Sequence, residues 1–185
     1  TMDLGNIPVY CVLAELIGVT MYQFFGGSAD ENSALSGIST AALGNGFCYA
    51  ALIYVTAGIS GGHLNPAVST AFFVTGRLGK KRFIAYILAQ VMGAIAGALA
   101  LRLCLPPTFL DSPMIGNGPM LREFPLQAFV NQFVCTFALV FVMFATAVDR
   151  AGAAKHAAPL AIGLTVVAGM FAQGPSATGG SMNPA

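Results

Sequence analysis

Charged side chains are scarce in this sequence. Only 8% of its 185 residues are Asp, Glu, Lys or Arg, whereas a soluble globular domain carries about 25%. Apolar residues make up 56% of the chain, and the mean hydropathy is +0.76. A water-soluble fold is therefore excluded, and an all-α membrane protein is predicted, because helices satisfy their own backbone polar groups in lipid. The formal net charge of only +1 gives no reason to expect a nucleic-acid partner.

Groups that could perform catalysis or bind a metal are also few. The chain has two histidines, no paired carboxylates in its apolar stretches and no nucleophile motif. We therefore predict that it is not an enzyme, uses no cofactor and holds no metal. The cysteines stand singly, without C-x-x-C spacing, and are interpreted as buried small apolar side chains rather than disulfide partners or metal ligands. They are Cys11, Cys48, Cys104 and Cys135.

Long apolar runs, by contrast, fill most of the chain. Five runs approach the ~20 residues that a helix needs to cross a bilayer. They are placed at Ile7–Gly26, Ile38–Gly58, Phe83–Cys104, Phe124–Val148 and Pro159–Gln173. The polar stretch Gly27–Ser36 is expected to be a loop between the first two runs, and Leu105–Glu123 a longer loop after the third. The pattern predicts one transmembrane domain over residues 1–185, with a first repeat at about 7–105 and a second at about 124–185.

Basic residues are distributed unevenly between the two sides of the predicted membrane domain. Six of the eight fall on one side, namely Arg77, Lys80, Lys81, Arg82, Arg150 and Lys155. Cytoplasmic loops carry an excess of Lys and Arg. We therefore expect the N-terminus and the turn at residues 77–82 to be cytosolic, with Asp30 and the long loop on the other side. The sequence does not indicate which cellular membrane holds the protein.

One short motif occurs twice, each time after an apolar run. Ser60–Ser69 reads SGGHLNPAVS and Thr178–Ala185 reads TGGSMNPA, so Gly-Gly-x-x-Asn-Pro-Ala recurs at a distance of 118 residues. Asn is a strong helix N-cap, and Pro is favoured at the first helical position. When the Asn oxygen caps a helix, its amide hydrogens remain available as donors. The duplication therefore predicts two capped helix starts that present polar donors.

Both motifs are expected to open helices that only enter the membrane. Pro66–Gly76 is 11 residues long, too short to span. Three apolar runs separate the two motifs, so the two half-helices approach from opposite sides. A helix N-terminus carries roughly half a positive charge, which orients a polar solute and repels cations. Broken helices that meet at the midplane of an inverted repeat form a central transport site.

In these residues the chain resembles the aquaporin (major intrinsic protein) family, and the resemblance runs through nearly all of it. The resemblance implies an inverted repeat of transmembrane helices with two re-entrant half-helices, and a homotetramer with one pore in each subunit. Asn65 and Asn183 would be the central donors, with the half-helix starts formed by Pro66, Ala67, Pro184 and Ala185. The family also has a second half-helix, a sixth span and usually an Arg directly after the second motif. We therefore expect the chain to be incomplete at its C-terminus.

Three polar residues are candidates for supporting the re-entrant loops. Glu15 is the one charge in the first apolar run, which is typical of a proton relay or ion site. The resemblance implies instead that Glu15 accepts hydrogen bonds from loop amides, and we favour this interpretation because such amides need acceptors at membrane depth. His63 is assigned to the loop scaffold. Gln132 replaces a second family Glu and still offers a carbonyl oxygen.

The resemblance aligns Asn45, Met170 and Gly180 with the selectivity filter. Asn45 stands where the family often has Phe, His or Trp, and is smaller and polar. Counting from Gly163 selects Met170, whereas counting back from Asn183 selects Phe171; we prefer Met170. A filter of this composition predicts an opening wide enough for a small neutral solute such as ammonia, urea, hydrogen peroxide or glycerol.

Three kinds of function compete at this point. A passive channel for water and small neutral solutes, closed to ions and protons, fits the paired motifs and the low charge. A secondary transporter shares inverted repeats and broken helices, but should carry more intramembrane charge than Glu15 alone. A membrane enzyme would need a catalytic set that the sequence lacks. The channel is the prediction, with membrane lipid, water and small solutes as its partners.

Overall fold

The computed structural model describes residues 7–106, 125–152, 155–173 and 179–185, and every regular element in these ranges is helical. The helices are α1 (Val9–Ser36), α2 (Ile38–Thr56), α3 (Pro66–Val74), α4 (Lys80–Cys104), α5 (Pro125–Met143) and α6 (Ala158–Gln173). A π-helical turn, Phe144–Val148, continues α5, and a 3-10 turn, Lys155–Ala157, precedes α6.

Five helices of the described ranges are long and apolar enough to cross a membrane. The exception is α3, whose nine residues rise about 14 Å at 1.5 Å per residue, half the thickness of a bilayer core. The predicted all-α membrane fold is therefore confirmed, including its first re-entrant half-helix. The second motif, at residues 179–185, lies at the end of the chain.

Glycines set the closest helix crossings. A Cβ added at Gly93 of α4 would lie 2.5 Å from the carbonyl oxygen of Leu16 in α1, and one at Gly97 would collide with the carbonyl oxygen of Thr20. Helices α2 and α6 cross in the same way, with the backbones of Gly46 and Gly163 in contact. Small residues allow such close approach between membrane helices. The face of α4 that carries Gly93 and Gly97 is thus packed against α1 within the chain.

The core lies between α1, α2, α5 and α6, where the two motifs meet. Leu64 and Met182, the residues before the two motif asparagines, are 0% and 2% exposed and belong to one apolar cluster. The outer faces are apolar as well, and α5 exposes a ladder of phenylalanines: Phe129, Phe133, Phe137 and Phe141. Outward apolar faces suit a lipid surrounding.

The prediction of a loop at Gly27–Ser36 is wrong, because α1 continues to Ser36. The stretch is polar but contains no proline, and two of its side chains donate to helix carbonyls one turn back, Asn32 to Ser28 and Ser36 to Asn32. Tertiary contacts add to this, since Gly26 lies against Asn45 of α2. The chain reverses only at Gly37, whose φ of 88° and ψ of 167° belong to a region that glycine alone adopts readily.

A second correction concerns the cysteines. Cys11 and Cys135 are buried and Cys48 is half-buried, but Cys104 is exposed near the end of α4. Cys104 is the last residue of α4, and an apolar side chain on the outside of a membrane protein suits a lipid surrounding, so its burial inside the protein was not required. Most of the Leu105–Glu123 loop, including Arg122, lies outside the described residues, as does Thr178 of the second motif.

Candidate pore

The first loop, residues 57–65, turns the chain between α2 and α3 through positive backbone angles. Gly61 and Gly62 have φ of 97° and 62°, and Leu64 has φ of 50°. A non-glycine residue pays a cost in this left-handed region and stays there only when its surroundings hold it. Leu64 is fully buried, and its N–H donates to the Glu15 carboxylate at 2.6 Å. Glu15 thus fixes the strained point of the loop.

Glu15 is the acceptor around which the first loop is built. Its Oε1 accepts from the Ser60 hydroxyl at 2.5 Å and from the His63 N–H at 3.0 Å. Its Oε2 accepts from the Leu64 N–H and, at 2.8 Å, from Gln90 Nε2 of α4. The Glu15 side chain is 0% exposed. A carboxylate buried in this way needs hydrogen-bond donors, and these four groups provide them. The geometry matches the predicted role in loop support.

His63 is held in the first loop by hydrogen bonds and by two aromatic rings. Its Nδ1 lies 3.1 Å from the Ser69 hydroxyl, and its carbonyl accepts from the Tyr49 hydroxyl at 2.9 Å. Its ring packs between Phe72 and Tyr86, with centroids at 4.3 and 5.4 Å. A ring held in this way suits the scaffold role assigned to it.

Asn65 caps α3 as the sequence predicts. Its Oδ1 accepts from the Ala67 N–H at 2.8 Å, with Pro66 at the first helical position. Its Nδ2 donates across the molecule to the Met182 carbonyl of the second motif, also at 2.8 Å. The carboxamide therefore joins the two motifs while it caps the helix.

The second motif repeats this geometry. Gly179, Gly180 and Met182 have φ of 75°, 72° and 49°. Asn183 Oδ1 accepts from the Ala185 N–H at 3.1 Å, and Asn183 Nδ2 donates back to the Leu64 carbonyl at 3.0 Å. The two asparagines are thus cross-linked through each other's loops by reciprocal hydrogen bonds, and Pro184 follows Asn183 as Pro66 follows Asn65.

Gln132 contacts the second loop as Glu15 contacts the first. The Met182 N–H donates to Gln132 Oε1 at 3.2 Å, and Met182 is the counterpart of Leu64. A neutral carbonyl oxygen can thus take the place of a carboxylate at this point. Of the three residues assigned to loop support, Glu15 and Gln132 lie beside the loops and His63 lies within the first loop.

A narrow cavity opens beside the second loop. The space open to the centre of a water molecule amounts to about 20 Å³, little more than the ~10–15 Å³ that one ordered water needs. Asn183 lines this cavity, whereas Asn65 is only 1% exposed and is not among its lining residues. The remaining lining comes from α1, α2, α4, α6 and the second loop: Val19, Tyr22, Gln23, Gly27, Asp30, Asn45, Ala94, Met170, Gly179, Gly180, Ser181 and Ala185.

The three residues assigned to the filter therefore meet at one cavity. Met170 lines it, while Phe171 is 47% exposed on the outer face of α6, which favours Met170 in the choice between them. Gly180 lies against Met170, and a Cβ there would approach the Met170 Cα to 2.9 Å. The filter role of these residues stays a prediction.

Asn45 is not a free donor in this cavity. Its Nδ2 lies 2.8 Å from Asp30 Oδ1, 3.0 Å from the Ala41 carbonyl and 3.4 Å from the Gly26 carbonyl. Asp30 was missed as a lining residue because the stretch around it was predicted to be a loop. The sequence did contain a signal: residues 27–36 include no proline and end at Gly37, so they are compatible with a continued helix.

Gln90 was also missed, although a polar side chain in the middle of an apolar span is itself a signal. It is 0% exposed and bridges Glu15 to Ser69 of α3, at 2.8 and 2.9 Å. It thereby ties α4 to both the loop support and the half-helix.

Proteins similar to this chain include aquaporins of the TIP type. The probable aquaporin TIP-type alpha of Phaseolus vulgaris is 39% identical over 90% of this chain and 61% of its own length. Aquaporin TIP2-1 of Arabidopsis thaliana is 35% identical over all of this chain and 75% of its own length. The present chain thus spans about three fifths to three quarters of these relatives.

The fold has a counterpart among solved structures. The aquaglyceroporin from Plasmodium falciparum matches 95% of this chain and 76% of its own, with a TM-score of 0.80 and 23% sequence identity. At that identity the likeness supports the shared fold only.

The family assignment rests on a match that covers nearly the whole chain. The major intrinsic protein family matches residues 8–185, the range that holds all helices and both motifs. Members of this family are membrane channels and not enzymes, so the prediction that the chain is an integral multi-pass membrane protein without catalytic activity is confirmed. The chain belongs to the major intrinsic protein family.

Proposed function

We propose that the protein is a passive channel that conducts water and small neutral solutes through the membrane and excludes ions and protons. The observation that carries this proposal is the reciprocal joint between Asn65 and Asn183, each of which caps one motif and bonds to the other. The printed names of the relatives, aquaporins and an aquaglyceroporin, support the same class of function.

The physics of the joint favours neutral polar solutes. A helix N-terminus carries roughly half a positive charge, and α3 begins at this point with its capping residue buried. Selectivity in such pores depends on diameter, lining donors and positive helix ends. The Asn183 carboxamide lines the narrow cavity, where it can bond to a passing polar molecule. The positive N-terminal end of α3 disfavours a cation.

Intramembrane charge, which would favour a secondary transporter, is limited in the described part of the chain. Glu15 accepts hydrogen bonds from three donors of the first loop and from Gln90 of α4. The 28 residues of α1 extend about 42 Å, beyond the ~30 Å core of a bilayer, so Asp30 and Glu31 lie towards one end of the helix. Flux that requires an ion gradient would nevertheless favour the transporter.

The channel proposal is tested by osmotic swelling of proteoliposomes that contain the full-length protein. We expect water permeability above that of empty liposomes, measurable urea or glycerol flux, and no change in a trapped pH dye under a proton gradient. Asn45→Phe should lower solute flux more than water flux, because a bulky ring narrows the opening without touching either motif asparagine. A wild type that passes protons, or that passes no water, would contradict the proposal.

Orientation and assembly are proposed as well. The bias of basic residues supports a cytosolic N-terminus and a cytosolic 77–82 turn, and the family resemblance implies a homotetramer. An impermeant thiol reagent applied to a cysteine-free protein carrying Lys80→Cys should label it from the cytosolic side alone, and native mass measurement in mild detergent should give four subunits. Labelling from the opposite side, or monomers in every detergent, would refute the respective proposal.

A further inference from the structure

Asp30 is a charged side chain at the cavity that neither motif explains. It lies on α1, six residues before the helix ends at Ser36, and lines the cavity together with Asn183 and Gly180. The length of α1 places this part of the helix near the boundary of the hydrocarbon core rather than at its centre. The carboxylate therefore stands at a mouth of the proposed pore.

Asn45 holds this carboxylate in place. Asn45 Nδ2 donates to Asp30 Oδ1 at 2.8 Å and lies 3.0 Å from the Ala41 carbonyl, which accounts for both amide hydrogens. Among the described residues, the hydrogen bond to the Asp30 carboxylate reaches Oδ1 alone. The second oxygen, Oδ2, keeps its lone pairs for other donors.

We propose that Asp30, positioned by Asn45, is a specificity-determining residue that selects small neutral solutes rich in N–H donors, with urea as the test case. This inference rests on the proposed channel function and names the solute class that the mouth prefers. Asn45, at the family's filter position, then acts through Asp30 rather than by contacting the solute with its own amide hydrogens.

The chemistry of the mouth supports this preference. A solute that enters a narrow pore loses water molecules, and a lining acceptor replaces part of that hydration. Hydrogen bonds to an ionised acceptor are about twice as strong as those between neutral groups. Urea carries four N–H donors, whereas acetamide has nearly the same shape with one amino group replaced by methyl. Water needs the acceptor least, because it keeps hydrogen bonds with its neighbours in file.

The competing interpretation is that the pair between Asp30 and Asn45 only fastens α1 to α2. Asp30→Asn separates the two interpretations, since it keeps an oxygen that can accept from Asn45 while it removes the charge. The double variant Asp30→Asn with Asn45→Asp exchanges the two side chains, so that the carboxylate lies at position 45 and the amide at position 30. Asp149→Asn is the matched control, because it removes an exposed carboxylate from the loop after α5.

The experiment measures urea, acetamide and water permeability of proteoliposomes that contain full-length wild type or each variant. We expect Asp30→Asn to lower urea permeability about fivefold, the change that loss of ~1 kcal/mol of hydrogen-bond strength produces. Acetamide permeability should fall less, and water permeability least. The double variant should recover urea permeability, and Asp149→Asn should match the wild type.

The outcomes separate this inference from the channel proposal. Wild type without water permeability contradicts the channel itself. Wild type that conducts water but not urea, or an Asp30→Asn variant whose ratio of urea to water permeability is unchanged, leaves the channel standing and overturns the role of Asp30. Equal losses for urea, acetamide and water would assign Asp30 to helix packing and overturn it too.

Discussion

The two loops that carry the Asn-Pro-Ala motifs have the same backbone shape on different supports. Leu64 and Met182 have φ of 50° and 49°, and each gives its N–H to a side-chain oxygen, of Glu15 in one loop and Gln132 in the other. The Gly-Gly pairs and the capping asparagines thus set the shape. The support has only to offer an acceptor, which is why an amide can stand where the other loop has a carboxylate.

The supports nevertheless differ in what they can hold. A carboxylate has two acceptor oxygens, whereas a carboxamide has one. Glu15 accepts four hydrogen bonds and is 0% exposed, while Asn183 of the second loop is partly exposed and lines the cavity. The first loop is therefore the rigid anchor of the pair, and the second loop is the one that meets the solute.

The largest effect on stability is expected from Glu15→Ala. It removes the acceptor of several buried donors at once, and each buried donor left unsatisfied costs ~1–3 kcal/mol. We expect the free energy of unfolding to fall by at least ~3 kcal/mol, seen as a large drop in the thermal inactivation temperature of the protein in detergent. Glu15→Gln, which keeps one oxygen, should lie between this variant and the wild type.

The same substitution in the other loop should cost less. Gln132→Ala removes a neutral carbonyl acceptor, and we expect a loss of ~1–2 kcal/mol, measured in the same detergent and at the same protein concentration. If Gln132→Ala lowers the inactivation temperature as much as Glu15→Ala does, the first loop is not the more strongly anchored one and the comparison fails.

The sequence predicted the spans well because their signal is long and uniform. Boundaries of α2, α4 and α6 lie within about three residues of the predicted runs, since apolar length alone decides what crosses a bilayer. The extension of α1 was missed because it depends on contacts that no local pattern contains. Gly26 against Asn45, and Asp30 bonded to Asn45, become visible only when two helices are placed side by side.

In the site, too, local features could be predicted from the sequence and contacts between distant residues could not. The motif asparagines could be predicted as caps, since Asn before Pro at a helix start has few other uses. Their bonds to the opposite loop could not, because the partners Met182 and Leu64 lie 117 and 119 residues away. Asn45 could be placed at the filter by resemblance, but the commitment of its amide to Asp30 required the packed structure.

The most direct test of the reciprocal joint is the water permeability of Asn65→Ala, Asn183→Ala and the double variant, each normalised to correctly inserted protein. Loss of a hydrogen bond worth ~1 kcal/mol lowers permeability about fivefold, so we expect Asn183→Ala, which alters the cavity lining, to show at least that loss. Asn65→Ala should show a smaller one. The double variant should lose less than the product of the two, because the residues share one joint. Wild-type permeability in both single variants would contradict the account.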